Sequence, residues 1–94
     1  MIKHIVCFKL KEGESPEKAK EVLLSMKGNV PMLIDIEVGL DLLHSARSYD
    51  VILQVTIKDM KTLEEYQQDA YHVSVVKKHM HAVVEKSVAI DYDI

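Results

Sequence analysis

The stretch Ser48-Tyr49-Asp50-Val51-Ile52-Leu53-Gln54-Val55-Thr56-Ile57 is the place to begin reading this chain. Tyr49, Val51, Leu53, Val55 and Ile57 fall on one side of an extended backbone. Asp50, Ile52, Gln54 and Thr56 fall on the other. A period of two in a run rich in β-branched residues is a strand with one fully apolar face. The second face mixes Ile52 with polar neighbours, a composition that contact with water alone does not select.

Moving upstream, Ile34, Ile36, Val38, Leu40 and Leu42 alternate with Asp35, Glu37, Gly39 and Asp41, which predicts a second strand. Gly39 within it marks a bulge or a bend. His44-Ser45-Ala46-Arg47 is then a connection of hairpin length. At the start of the chain, Ile2, His4, Val6, Phe8 and Leu10 share one face of a strand and Lys3, Ile5, Cys7 and Lys9 the other. Ser15-Pro16-Glu17 carries three helix-start signals: a capping hydroxyl, a proline suited to the first turn, and a carboxylate at the positive end of the dipole. Ala19, Val22, Leu23 and Met26 follow at helical spacing, Gly28-Asn29 supplies a left-handed stop, and Pro31 prevents continuation.

Downstream, Asp59 caps a helix that begins at Met60, with Leu63 and Tyr66 facing inward. Val73, Val76, Met80 and Val83 continue the helical spacing. On one unbroken helix, Tyr66 and His72 would point ~240° apart. A break near Asp69 to Tyr71 would let both face inward. Residues 86–92 close the chain as a strand, with Val88, Ile90 and Tyr92 alternating against Ala89 and Asp91.

The order β-α-β-β-α-β, with the second helix split, predicts an α+β fold of the ferredoxin-like type: four antiparallel strands and both helices on one face. Right-handed crossovers place the first and third strands in the centre. The 94 residues form a single domain, 1–94, too short for two cores. A hydrophobic fraction of 48% excludes a disordered chain. No apolar run approaches the ~18 residues of a membrane span. The opening Met1-Ile-Lys-His-Ile-Val lacks the tripartite form of a signal peptide, so a cytoplasmic location is expected. A net charge of −3 with dispersed lysines argues against nucleic-acid binding. The single cysteine, Cys7, precludes an intrachain disulfide and reads as a buried small hydrophobe.

Helices on one face leave the other bare. That face would carry Ile5, Cys7, Ile52 and Thr56 from the central strands. A wet sheet face should be plainly polar, so a covering partner is expected, and a second copy is the usual one. Two sheets packed face to face make a dimeric α/β barrel.

Phosphate loops, paired-cysteine motifs and nucleophile motifs are absent. His79 and His81 are two apart on a helix and do not share a face, so no metal site is expected. His44 belongs to a solvated loop. His4 stands out, because it interrupts an otherwise apolar inward face. Tyr66 and His72 could meet it between sheet and helices. A buried, hydrogen-bonded histidine and an aromatic core filler are the plain readings of these residues. Acid/base chemistry is the functional one.

Lys3-His4-Ile5-Val6-Cys7-Phe8-Lys9, Val38-Gly39-Leu40-Asp41, Ser48-Tyr49-Asp50-Val51-Ile52-Leu53, Leu63-Glu64-Glu65-Tyr66 and His72-Val73, in this order, resemble the stress-responsive A/B barrel (Dabb) family of dimeric α/β-barrel proteins. The resemblance spans nearly the whole chain. It implies the same fold and a homodimer formed through the sheet face. Asp69-Ala70 stands where the family carries a His-Pro pair, which removes one candidate acid/base and the proline expected to break the helix. One branch of the family contains a polyketide cyclase in which a tyrosine and a histidine act as an acid/base pair beside a first-strand histidine. By position these correspond to Tyr66, His72 and His4, with Val6, Phe8, Val51 and Leu53 lining the apolar part of a ligand cavity.

Three functional readings follow. The first is a homodimer that binds a small apolar molecule between sheet and helices, its activity unassigned. The second is a cyclase-like enzyme in which His72 takes a proton α to a carbonyl and Tyr66 stabilises the oxyanion. The third is a structural or stress-protective oligomer. None of them calls for a resident cofactor.

Overall fold

The computed structural model describes residues 1–94. Strand β1 (Ile2–Leu10) leads into helix α1 (Pro16–Leu24), then strands β2 (Asp35–Leu40) and β3 (Val51–Ile57). Helix α2 (Met60–Gln68), a π-helical segment (His72–Lys77), helix α3 (Lys78–Val83) and strand β4 (Val84–Asp93) follow. The sheet order is β2-β3-β1-β4, all neighbours antiparallel, with β1 and β3 central as the crossover rule requires. This is the ferredoxin-like α+β arrangement.

The start of α1 forms for the reasons visible in its sequence. The Ser15 hydroxyl accepts from the Lys18 backbone N–H at 3.0 Å, and Pro16 occupies the first turn. The helix stops before Gly28, which takes φ +84°, a conformation that costs glycine little. Asp59 caps α2 by accepting from the backbone N–H of Thr62 at 2.8 Å.

The inward face of β3 is the floor of the core. Val51, Leu53, Val55 and Ile57 are all buried and join Ala19, Leu23, Met26, Leu63, Tyr66, Val76, Met80 and Val83 in one cluster. Burying a side chain of this size stabilises by roughly 1.5–3 kcal/mol relative to exposure.

The opposite face has no cover. Register places Ile5 beside Ile90, Cys7 beside Val88 and Lys3 beside Tyr92, so the edge strand extends the apolar area of the two central strands. Val88, Ile90 and Tyr92 are 51%, 61% and 44% exposed. Cys7 lies on this face and is half-buried, not a core residue. Thr56, expected as part of the bare surface, is buried between Lys3 and Asp35, its neighbours in the ladder.

Three further expectations need correction. The decapeptide takes strand form as β3 only from Val51, although the Asp50 N–H still donates to the Phe8 carbonyl at 2.9 Å. Ser48 and Asp50 belong instead to a ten-residue connection, 41–50, longer than the four residues expected. Side chains there compete with the ladder for backbone groups. Asp41 accepts from the His44 N–H at 2.6 Å, Asp50 from the Leu10 N–H at 2.8 Å, and Ser48 from the Ser45 N–H at 3.0 Å. Leu42, expected within the second strand, lies outside it and is 91% exposed. Gly39 makes no bulge: it pairs in regular register with Ile52, and a Cβ there would stand 3.2 Å from Ile52 Cγ2. The irregularity falls in β1 between Lys9 and Leu10, opposite the start of β4.

Candidate functional site

The break in the second helical region builds the site. Asp69 leaves the helix with φ −55° and ψ 134°, and its carboxylate accepts from the His72 backbone N–H at 3.0 Å. This is N-cap geometry. Asp69, at the position of the family's histidine and just before Ala70 at that of its proline, thus restarts the helix, so the break survives the loss of His-Pro. Both Tyr66 and His72 now face the sheet and are buried. A π-helical turn begins at His72; such segments recur at functional sites.

His4, Tyr66 and His72 come together. The rings of Tyr66 and His72 stack at 4.2 Å between centroids, and His4 meets the Tyr66 ring edge-on at 5.8 Å. They border a cleft of about 210 Å³ between sheet and helices, with eight hydrophobic residues among its fourteen. Val6, Phe8 and Leu53 lie on its wall. Val51 does not: packed in the core opposite Phe8, it lies outside the lining. Leu23, Val76, Met80 and Val84 complete the apolar wall, and Gln67, Lys77, His81 and Ser87 add polar groups.

The two histidines are held differently. His72 Nδ1 donates to the Tyr66 carbonyl oxygen at 2.9 Å, which leaves Nε2 as the lone-pair nitrogen of the neutral ring. Burial lowers the His72 pKa below the ordinary histidine value. The bond to Tyr66 opposes that shift, and the Lys77 charge reinforces it. His4 Nδ1 donates to the Asp91 carboxylate across the β1–β4 ladder. A histidine on an apolar face needs such a partner, because an unpaired buried polar group is costly. Asp91 was not singled out by the sequence. Its signal was topological: β1 and β4 run antiparallel side by side, so the fourth residue must meet a residue close to the chain end.

Tyr66 offers the cleft its ring. Its hydroxyl donates instead to Met26 Sδ at 3.7 Å, in the core beneath α1. Burial raises its pKa, and the nearby Asp69 charge raises it further. To act on a bound oxyanion, that hydroxyl would have to exchange the thioether for the ligand, and sulfur is a weak acceptor to give up. Lys77 Nζ donates to the Gln67 carbonyl at 2.8 Å, tying the π-helical turn to the last turn of α2. No group of three or more His, Cys, Asp or Glu side chains converges at metal-ligand spacing. No helix is long and apolar enough to cross a membrane.

Comparison with solved structures gives the same fold in several proteins. An Arabidopsis thaliana protein superposes with a TM-score of 0.82 at 22% identity, over 100% of this chain and 95% of its own. A dimeric protein of unknown function and ferredoxin-like fold from Bacteroides fragilis gives 0.78 at 23% identity, over 99% and 95%. The hydroxynitrile lyase of Passiflora edulis gives 0.77 at 20% identity, over 99% and 92%. At these identities the likeness establishes the fold and leaves the specific activity unassigned. A search of curated proteins gives no match. The sequence profile of the stress-responsive A/B barrel domain matches residues 2–94, the whole of the fold just described, and this chain belongs to that family.

Proposed function

We propose that this protein is a cytoplasmic homodimer that holds a small, largely apolar molecule in the cleft between sheet and helices. One observation carries the reading. A cleft of about 210 Å³ opens beside an otherwise well-packed core and is edged by two oriented imidazoles. Binding sites combine apolar walls with a few placed polar groups. A volume of ~150 Å³ accommodates benzene in an apolar cavity, so this one suits a single ring or a short chain. The dimer accounts for the bare apolar face of Ile5, Cys7, Val88 and Ile90. The unpaired thiol of Cys7 fits a reducing compartment. A structural, stress-protective oligomer needs no such cleft, which ranks that reading lower.

Titration of labelled protein with indole, followed by amide NMR, tests the binding reading. Shifts should cluster at Val6, Leu53 and Val76, and Val6→Phe should abolish them by filling the space. Shifts confined to the bare face, or unchanged by Val6→Phe, would overturn it.

A second reading rests on the His72 imidazole. A neutral ring whose Nδ1–H is pinned and whose Nε2 is free can act as a general base. His4, oriented by Asp91, stands on the other side of Tyr66 and can pass or accept a proton. A cyclase-like enzyme would use His72 to take a proton α to a carbonyl. Proton exchange at the central carbon of 2,4-pentanedione in D₂O measures that step. Catalysed exchange should disappear in His72→Ala; exchange equal to that of the unmodified protein would exclude His72 as the base.

A further inference from the structure

The polar part of the cleft wall is one-sided in charge. Six of its fourteen residues are polar, namely His4, Gln67, His72, Lys77, His81 and Ser87, and none is acidic. The chain as a whole has the opposite bias, with 15 acidic residues against 12 lysines and arginines. The ammonium of Lys77 is fixed at the cleft by one hydrogen bond, to the Gln67 carbonyl, and an ammonium carries three donors. Two N–H groups therefore remain for another acceptor. His72 brings a ring nitrogen not used by its own hydrogen bond, and so does His4.

We infer that the cleft selects a small organic monocarboxylate, an apolar ring or short chain whose carboxylate is received by Lys77 and the free edge of His72. This rests on the cleft being the ligand site and adds the charge of the ligand. The apolar body fits the wall made by Val6, Leu53 and Val76. A carboxylate accepts hydrogen bonds only, so it matches donors and would be repelled by an acidic wall.

The seat also has a proton linkage. The charged or titratable groups around His72 are Tyr66 and Asp69 at the end of α2, Lys77 on its own segment, His4 from β1, and His81 of α3, which lines the same cleft. Asp91 of β4 acts at one remove, through His4. A carboxylate beside His72 favours the protonated ring. Binding therefore takes up a proton, and the affinity for the carboxylate falls as the pH rises through the histidine range.

Calorimetric titration with benzoate and with benzamide, its uncharged counterpart of nearly equal size, tests the inference. Benzoate should bind at least ~10-fold tighter than benzamide at pH 6. Lys77→Met should bring the two within ~2-fold, Lys77→Arg should keep the preference, and Lys58→Met, on the exposed surface, should leave it unchanged. Imidazole titration by NMR should show the His72 pKa rising with benzoate and not with benzamide. That readout does not depend on any substitution. Equal binding of the two compounds, or a preference that survives Lys77→Met, overturns the carboxylate inference and leaves the cleft as a ligand site. If neither compound binds while indole does, the inference falls in the same way. If indole also fails, the ligand site falls with it.

Discussion

Val51, Leu53, Val55 and Ile57 on the helix-covered side of β3 are at most 2% exposed, whereas Val88, Ile90 and Tyr92 on the other side of the sheet are about half exposed. The residue types are similar, and the alternation that sorts them is the same. The difference is what lies above them. Two crossovers carry all the helices to one side, so identical side chains become core on one face and an unpartnered surface on the other. Period-two patterning assigns a residue to a face; the topology decides which face is covered.

Substitutions that remove the same side chain from each face sharpen this contrast. Ile57→Ala leaves a hole under the helices and should cost about 2–5 kcal/mol in urea unfolding. Ile90→Ala in the dilute monomer should change stability by no more than ~0.5 kcal/mol, as for an ordinary surface position. A similar loss at both positions, independent of protein concentration, would erase the distinction between the faces.

Next in size is the effect of putting charge on the bare face. Light scattering of the unaltered protein should return twice 10.7 kDa. Ile90→Lys should weaken association by about 2 kcal/mol, roughly 30-fold in Kd, because a charge would be buried in the apolar contact. Its monomer should retain the unaltered circular dichroism spectrum. A dimer indifferent to lysine at position 90 must be using some other surface.

A smaller effect concerns how the covering layer is shaped. Asp69 supplies the hydrogen bond that restarts the helix at the turn bringing Tyr66 and His72 over the sheet. Asp69→Ala should cost about 1 kcal/mol as a lost cap. It should also disturb the His72 ring resonances, since the ring's own hydrogen bond spans that turn. Asp69→Asn, which can still accept the bond, should restore most of both. An Ala variant with unperturbed His72 resonances would show that the turn holds without the cap.

Much of this was legible in the residues. The strand alternation, the Ser15 and Asp59 caps and the crossover rule were enough for the sheet order β2-β3-β1-β4. Helical spacing was enough to show that Tyr66 and His72 could converge only across a break. What escaped depended on partners distant in sequence or on local competition. The Asp91 pairing with His4 spans 87 residues and needs the β1–β4 register. Val51 has the same pattern as Leu53, yet one lies beneath the core and the other on the cleft wall. The 41–50 connection was misread because the alternation of Leu40, Leu42 and Tyr49 persists in letters after the Asp41, Asp50 and Ser48 side chains have claimed the backbone donors.

The smallest expected effect is a pH dependence originating on the covered face. Burial holds the folded-state pKa of His72 below its unfolded value near 6.5. The unfolded chain therefore takes up a proton first as the pH falls. The contribution of His72 to stability is fully present above pH ~6.5 and is lost as the pH drops through the folded-state pKa. The groups that shift His72 are His4, Tyr66, Asp69 and Lys77, all on the covered side of the sheet and none on the bare face. Urea unfolding at pH 8 and pH 5 measures it. His72→Gln should flatten that part of the profile, while His44→Gln, an exposed loop histidine, should leave it intact. If the two variants give the same profile, the pH response does not come from the buried ring.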